Sequence, residues 1–362
     1  MGGLAFNSTN FRDAFNHALP LFKDFGKFRA TWPNQRYIVI DEWFTKNVFK
    51  ATDGNQIEGR IIYGDNGSFR FVNLHERTPI NFVDVVSKVS MPWCFAEGKI
   101  TWESREADMR KGKSAIVNYI KSQTFAGLKS VYNGIEASGF GGPYDSADTK
   151  VPMGIPFWIQ YLPFGTTDYD GSFNGRSVVY GDGTSSTSAN VGGVDRSTIS
   201  QARNWAFNKS GMNGTTIDSM LRAKVFSGFQ PPRNLREFIN WKAAMYRVYM
   251  SLSDYADYLK LVNAGPDNRN GDIMPFSGVI NFMGMECIGL NQLEGMANEP
   301  LYMLDMNAVY PVVHENWWLK QTEPMNDREA PHENVIQIDC QYNFFCEDPR
   351  TAGAVGHSPL AA

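Results

Sequence analysis

For a chain of 362 residues the groups able to do chemistry are few: five histidines, four cysteines and scattered carboxylates. Cys94, Cys287, Cys340 and Cys346 form no CxxC pair, so the spacings of zinc ribbons and thioredoxin-like sites are absent and a reducing compartment is the simpler reading. His314-Glu315 and His332-Glu333 each begin like the HExxH zinc helix, but the second histidine position holds Trp318 in one and Ile336 in the other. Asp168-Tyr169-Asp170-Gly171-Ser172-Phe173 resembles a calcium loop, with Phe173 where the sharp turn needs glycine and Val179 where a bidentate glutamate belongs. Gly112-Lys113-Ser114 ends like a phosphate-binding loop whose first glycine would fall at Ala107. His17, His75 and His357 complete the histidines, and without GxSxG neither a Ser-His nor a Cys-His pair has sequence support. Paired carboxylates remain, Glu103 with Glu106 or Asp254 with Asp257, which could serve as acid and base if their surroundings drove their pKa values apart. Both pairs fit better a role in capping or solvating helices. Trp317-Trp318, among nine tryptophans, could line a sugar site, but aromatic residues at this density favour a core or an interface. No metal or cofactor is expected.

The elements that would position such groups follow from periodicity. Ser8-Thr9-Asn10 precede Phe11, Ala14, Phe15, Ala18, Leu19, Phe22 and Phe25 at helical spacing, interrupted by Pro20, which predicts a short amphipathic arm. Residues 37–40 read as a strand. Residues 57–63 and 68–74 flank Gly64-Asp65-Asn66-Gly67, which tolerates the positive φ of a tight reversal, so they read as a hairpin. Residues 82–89 and 94–102 read as β. A helical pattern then runs from Ser104 to the stop at Ser138-Gly139-Phe140-Gly141-Gly142-Pro143, with Ile116, Tyr119, Ile120, Leu128, Val131, Tyr132 and Ile135 as its apolar stripe. From 114 to 138 it would be about 37 Å long. Gly112, Gly127 and Gly134 each weaken it by about 1 kcal/mol, so packing must hold it.

Further on, residues 164–197 read as a long Gly/Ser/Thr-rich loop within a domain. Residues 198–207, 215–226 and 254–262 read as helices and 247–252 as a strand, with a turn at Ala264-Gly265-Pro266-Asp267. Short strands are expected within 273–290, 301–304, 317–319 and 334–346, followed by a small, polar tail at 351–362. The fold class is α+β, without an internal repeat.

Composition closes off whole classes of function. Hydrophobic residues make up 43% and charged residues 20%, the balance of an ordered globular chain, and the length allows two or three domains. The 34 basic and 38 acidic residues give a net charge of −4, without the basic excess that sequence-independent nucleic-acid binding needs. Residues 151–167 are uncharged but broken by Pro152, Pro156 and Pro163 and too short to span a bilayer, and the first residues read as neither a secretion signal nor a myristoylation site. No membrane association is expected.

The predicted hairpin poses a physical problem: a lone two-stranded ribbon carrying Ile57, Ile61, Tyr63, Phe69 and Phe71 is marginal in water and must lie on something else. Another subunit is the expected support. The order of elements resembles the major capsid proteins of tailed double-stranded DNA phages, the Hong Kong 97-like fold. The resemblance is carried by Gly98-Lys99-Ile100-Thr101-Trp102-Glu103-Ser104-Arg105 entering the helix, by Pro300-Leu301-Tyr302-Met303-Leu304-Asp305-Met306-Asn307, and by Asn334-Val335-Ile336 through Asp348-Pro349-Arg350.

That resemblance implies an N-terminal arm at 1–52, an extended β-hairpin loop at 53–81 and a peripheral domain with a long spine helix at 82–144. An axial domain at 145–274 follows, and 275–362 completes the axial edge and the peripheral sheet. It implies copies closing as hexamers and pentamers into an icosahedral shell around DNA, with no catalytic role. The shell would be assembled in the bacterial host's cytoplasm, with a separate scaffolding protein, a portal and possible decoration proteins as partners. Phe11, Phe15, Ile57, Arg60, Ile61, Tyr63, Phe69, Arg70, Phe71 and Arg77 are the expected contacts between subunits. Some members crosslink through a lysine in the extended loop, but residues 57–80 contain none, so non-covalent contacts must suffice here. Two alternatives stay open: an encapsulin-like compartment enclosing protein cargo, and a Trp-rich hydrolase working through paired carboxylates.

Overall fold

The computed structural model describes residues 37–46, 48–52, 54–62, 69–73, 86–109, 113–142, 150–160, 177–178, 190–196, 199, 202–209, 211–227, 246–263, 280–296, 299–326 and 332–357. Phe11, Phe15, Tyr63, Arg77, the turn at 64–67, the turn at 264–267 and most of the 164–197 loop lie outside the described residues, as does the side chain of Ile61.

The chain enters as helix where a strand is expected. A π-turn at Val39–Trp43 runs into Phe44–Lys46, because Ile38, Val39, Trp43 and Phe44 all turn onto one buried face. Strands β1 (Phe49–Ala51), β2 (Gln56–Ile62), β3 (Val86–Pro92) and β4 (Cys94–Glu103) follow. β2 pairs antiparallel with β3, Ile57 opposite Met91 and Gly59 opposite Val89, so the ribbon's second strand is 86–92 and not the expected 68–74. Met91 and Val89 are buried, whereas residues 69–73 are exposed throughout, and burial decides the pairing.

β4 alternates as a half-covered strand must: Cys94, Ile100 and Trp102 are buried, while Phe95, Glu97, Lys99, Thr101 and Glu103 face out. A short helix at Ser104–Met109 precedes the long helix, Lys113–Phe140, 28 residues and about 42 Å. The long helix packs on the buried face of β4 through two glycines: Gly127 of the helix receives Ile100, and Gly98 of the strand receives Val131. A Cβ at either position would collide, so the poor helix former at 127 is what permits the approach.

The remaining strands are β5 (Ser177–Val178), β6 (Asn190–Val191), β7 (Val194–Asp195), β8 (Asn204–Asn208), β9 (Tyr246–Ser251), β10 (Ile280–Phe282), β11 (Met285–Leu290), β12 (Leu301–Asp305), β13 (Val309–His314), β14 (Lys320–Gln321), β15 (Met325–Asn326), β16 (Glu333–Cys346) and β17 (Gly353–His357). They form two large sheets. In the first, the 14-residue β16 takes β4 along one edge over Glu333 to Tyr342, and β13, β14 and β15 in turn along the other, with β1 parallel to β13 outside them. The second has the order β10-β11-β9-β12-β17-β8-β5, with β11–β9 and β17–β8 parallel.

Alternation divides the second sheet's side chains between two cores. Val248, Met250, Leu301 and Met303 face a cluster with Met220, Ala223 and Tyr258 from the helices Gly214–Phe226 and Leu252–Asn263. Tyr249, Tyr302 and Leu304 face the larger cluster shared with β16 and the long helix. Three further expectations are corrected. Residues 204–208 are strand and not helix, since Trp205 and Phe207 face one cluster and Ala206 the other. Leu319 has φ +51°, so no strand runs through 317–319, and a 3₁₀ turn at Glu315–Trp317 stands there instead. The expected polar tail contains β17, buried between β12 and β8, where Gly356 lets the Phe207 ring lie flat on its backbone.

Trp43 joins these parts. Its ring lies 5.3 Å from Phe140 of the long helix, 5.9 Å from Phe344 of β16 and 5.9 Å from Tyr249 of β9, and its Nε1 donates to the Tyr249 hydroxyl at 3.0 Å. Trp43→Ala is expected to lower the unfolding free energy by about 3–5 kcal/mol in urea titration. Trp43→Phe, which keeps most packing and loses the hydrogen bond, should cost about 1 kcal/mol for that bond; equal losses in the two variants would show that the hydrogen bond, not the packing, dominates.

Candidate assembly surface

The ribbon β2–β3 is docked at its root. Gly59 lies against the Phe345 ring, where a Cβ would overlap it, and Val89 packs on Gly192 in the β6–β7 turn. The Ser90 N–H donates to the Gly192 carbonyl at 2.9 Å and Trp93 Nε1 to the Gly54 carbonyl at 2.8 Å. Asn343 of β16 donates to the Pro92 carbonyl at 2.9 Å while its Oδ1 accepts from the Met153 N–H at 2.8 Å. A groove of about 680 Å³ opens beside this root, lined by Phe49, Ala51, residues 54–58, Trp93 and Val312.

Beyond Ile62 the picture inverts. Phe69 is 81% and Phe71 93% exposed, their rings 5.4 Å apart and inclined edge to face at 74°, and Arg70, Val72 and Asn73 are exposed too. Of the residues expected to contact other subunits, Ile57 is buried by its own chain, Arg60 is exposed on the ribbon, and Phe69, Arg70 and Phe71 sit together past it. Further exposed apolar side chains that sequence periodicity missed are Phe49, Phe95, Val225 and Phe226. Phe95 could have been found from β alternation, being out of phase with Cys94.

A second feature fixes the helical turn at residues 38–43 against the long helix. Glu136 of the long helix is 1% exposed and accepts from the N–H groups of Ile38 at 2.8 Å and Ile40 at 3.3 Å, at the open start of the entering helical turn. The Tyr37 hydroxyl donates to Asn133 at 2.7 Å. Burial pushes the Glu136 carboxyl up from 4.5 to about 7, against the opposing pull of those N–H bonds. Arg247 of β9 lies 3.0 Å from Glu286 and 3.5 Å from Glu42 of the same turn; the longer contact is an attraction between charges without hydrogen-bond geometry.

Among the described residues the groups singled out for chemistry are not gathered. Asp254 is buried and ion-paired with Lys209, tying the end of β8 to the Leu252–Asn263 helix, while Asp257 pairs with Lys260 in solvent at 2.7 Å. The side chain of Glu106 lies outside the described residues, and Glu103 faces out from β4. All four cysteines are buried as free thiols, with Cys287 pushed up to about 12 by burial and Cys340 and Cys346 also raised, so these three hold their protons at neutral pH. Among the described residues no three His, Cys, Asp or Glu side chains converge as a metal site. No helix there is long and apolar enough to cross a membrane.

No protein-family model matches the chain, and no curated protein does. Solved structures do. The cyanophage A-1(L) capsid asymmetric unit has a TM-score of 0.61 at 11% identity, over 92% of this chain and 95% of that one. Mycobacterium phage Bobi has a TM-score of 0.52 at 9% identity, over 93% and 94%. The capsid of the native GTA particle has 0.50 at 9%, over 86% and 88%. At such identity the likeness is one of fold.

Because folded Glu136 holds its proton up to about pH 7 and the unfolded carboxyl releases it near 4.5, the folded state binds the extra proton between these values. Stability should therefore fall as pH rises from about 4.5 to about 7 and level off above, by at most about 3 kcal/mol from this group. Urea titrations at pH 5 and pH 8 should show that loss in the parent chain and less of it in Glu136→Gln.

Proposed function

We propose that this chain, which has the Hong Kong 97-like capsid fold, is the major capsid protein of a tailed double-stranded DNA phage. Its copies close as hexamers and pentamers into an icosahedral shell around packaged DNA, assembled in the bacterial host's cytoplasm, and its role is structural rather than catalytic. The observation that carries the reading is the extent of the shared fold. The likeness to the cyanophage capsid subunit takes in 92% of this chain, and what is left over is smaller than a domain of roughly 50 residues.

The chemistry agrees with that reading. The chain has a net charge of −4, and a lining without a basic surplus holds DNA without gripping it. The exposed Phe69, Arg70 and Phe71, with Arg60 on the ribbon, supply the apolar and charged contacts to a neighbouring copy. Phe11, Phe15, Ile61, Tyr63 and Arg77 are assigned to the same contacts from the sequence alone. A separate scaffolding protein, a portal and decoration proteins are the further partners of this proposal.

Light scattering and negative-stain imaging of the purified chain, with nuclease digestion of the same fraction, test it. Megadalton shells protecting DNA are expected, with or without a co-expressed scaffold. Shells containing protein would turn the reading toward a nanocompartment, and a stable species of one or two copies would remove it. Arg60→Glu should lower particle yield severalfold while leaving the subunit's thermal midpoint within about 2 °C, as expected for a surface change of under about 0.5 kcal/mol.

A further inference from the structure

We draw no further inference here: the strongest candidate, the groove of about 680 Å³ at the root of the β2–β3 ribbon with Phe49, Ile57, Trp93 and Val312 in its walls, carries nothing because nothing in the structure shows what covers it.

Discussion

The indole of Trp43 touches three parts of the fold at once: the end of the long helix at Phe140, β16 at Phe344 and β9 at Tyr249. A large aromatic ring buries about 150–250 Å², and here that area is divided among elements far apart in sequence. The two sheets are thereby packed through a side chain belonging to neither. Gly139 gives the clearance, since a Cβ there would press on Val39 and Trp43. Glu136, one helical turn from Phe140, then fixes the approach by accepting from the Ile38 and Ile40 amides.

Much of this could be read in the sequence where a local pattern and the tertiary demand agree. The long helix runs from Lys113 to Phe140, close to the stretch its stripe and glycine stop define, and the helices at Gly214–Phe226 and Leu252–Asn263 fall where their periodicity places them. The failures are instructive. Residues 37–40 carry β-formers, but the partner that decides their state is a carboxylate 96 to 98 residues away. Residues 353–357 look like a tail because glycine and alanine signal no strand, yet smallness is what admits them between two neighbours and under Phe207. For β2, the loop chemistry of Gly64-Asp65-Asn66-Gly67 pointed to a near partner, while burial of Val89 and Met91 chose a distant one.

The candidate surface was legible in a different way. Phe69 and Phe71 stood out because apolar residues on a two-stranded ribbon need cover, and they remain exposed in the folded chain. The same argument named Ile57, which its own chain buries, because composition does not distinguish the root of a projecting element from its end. The groove at that root had no signal at all: Phe49 and Val312 meet through the parallel pairing of β1 with β13, and Trp93 comes from the junction between β3 and β4.

The position of β17 bears on how the protein is made. It is inserted between β12 and β8, and it is synthesised after both, as β16 is synthesised after β4, β13, β14 and β15 that flank it. Neither sheet can close while the ribosome still holds residues 333–357, so a nascent chain keeps two unfilled slots until its last strands emerge. Sequence-distant pairings of this kind make folding slow and leave partly built chains prone to mispairing. The same order supplies a form of quality control: a chain cut short before β17 lacks the middle of its second sheet, and one cut short before β16 lacks the strand on which the root of the ribbon is docked.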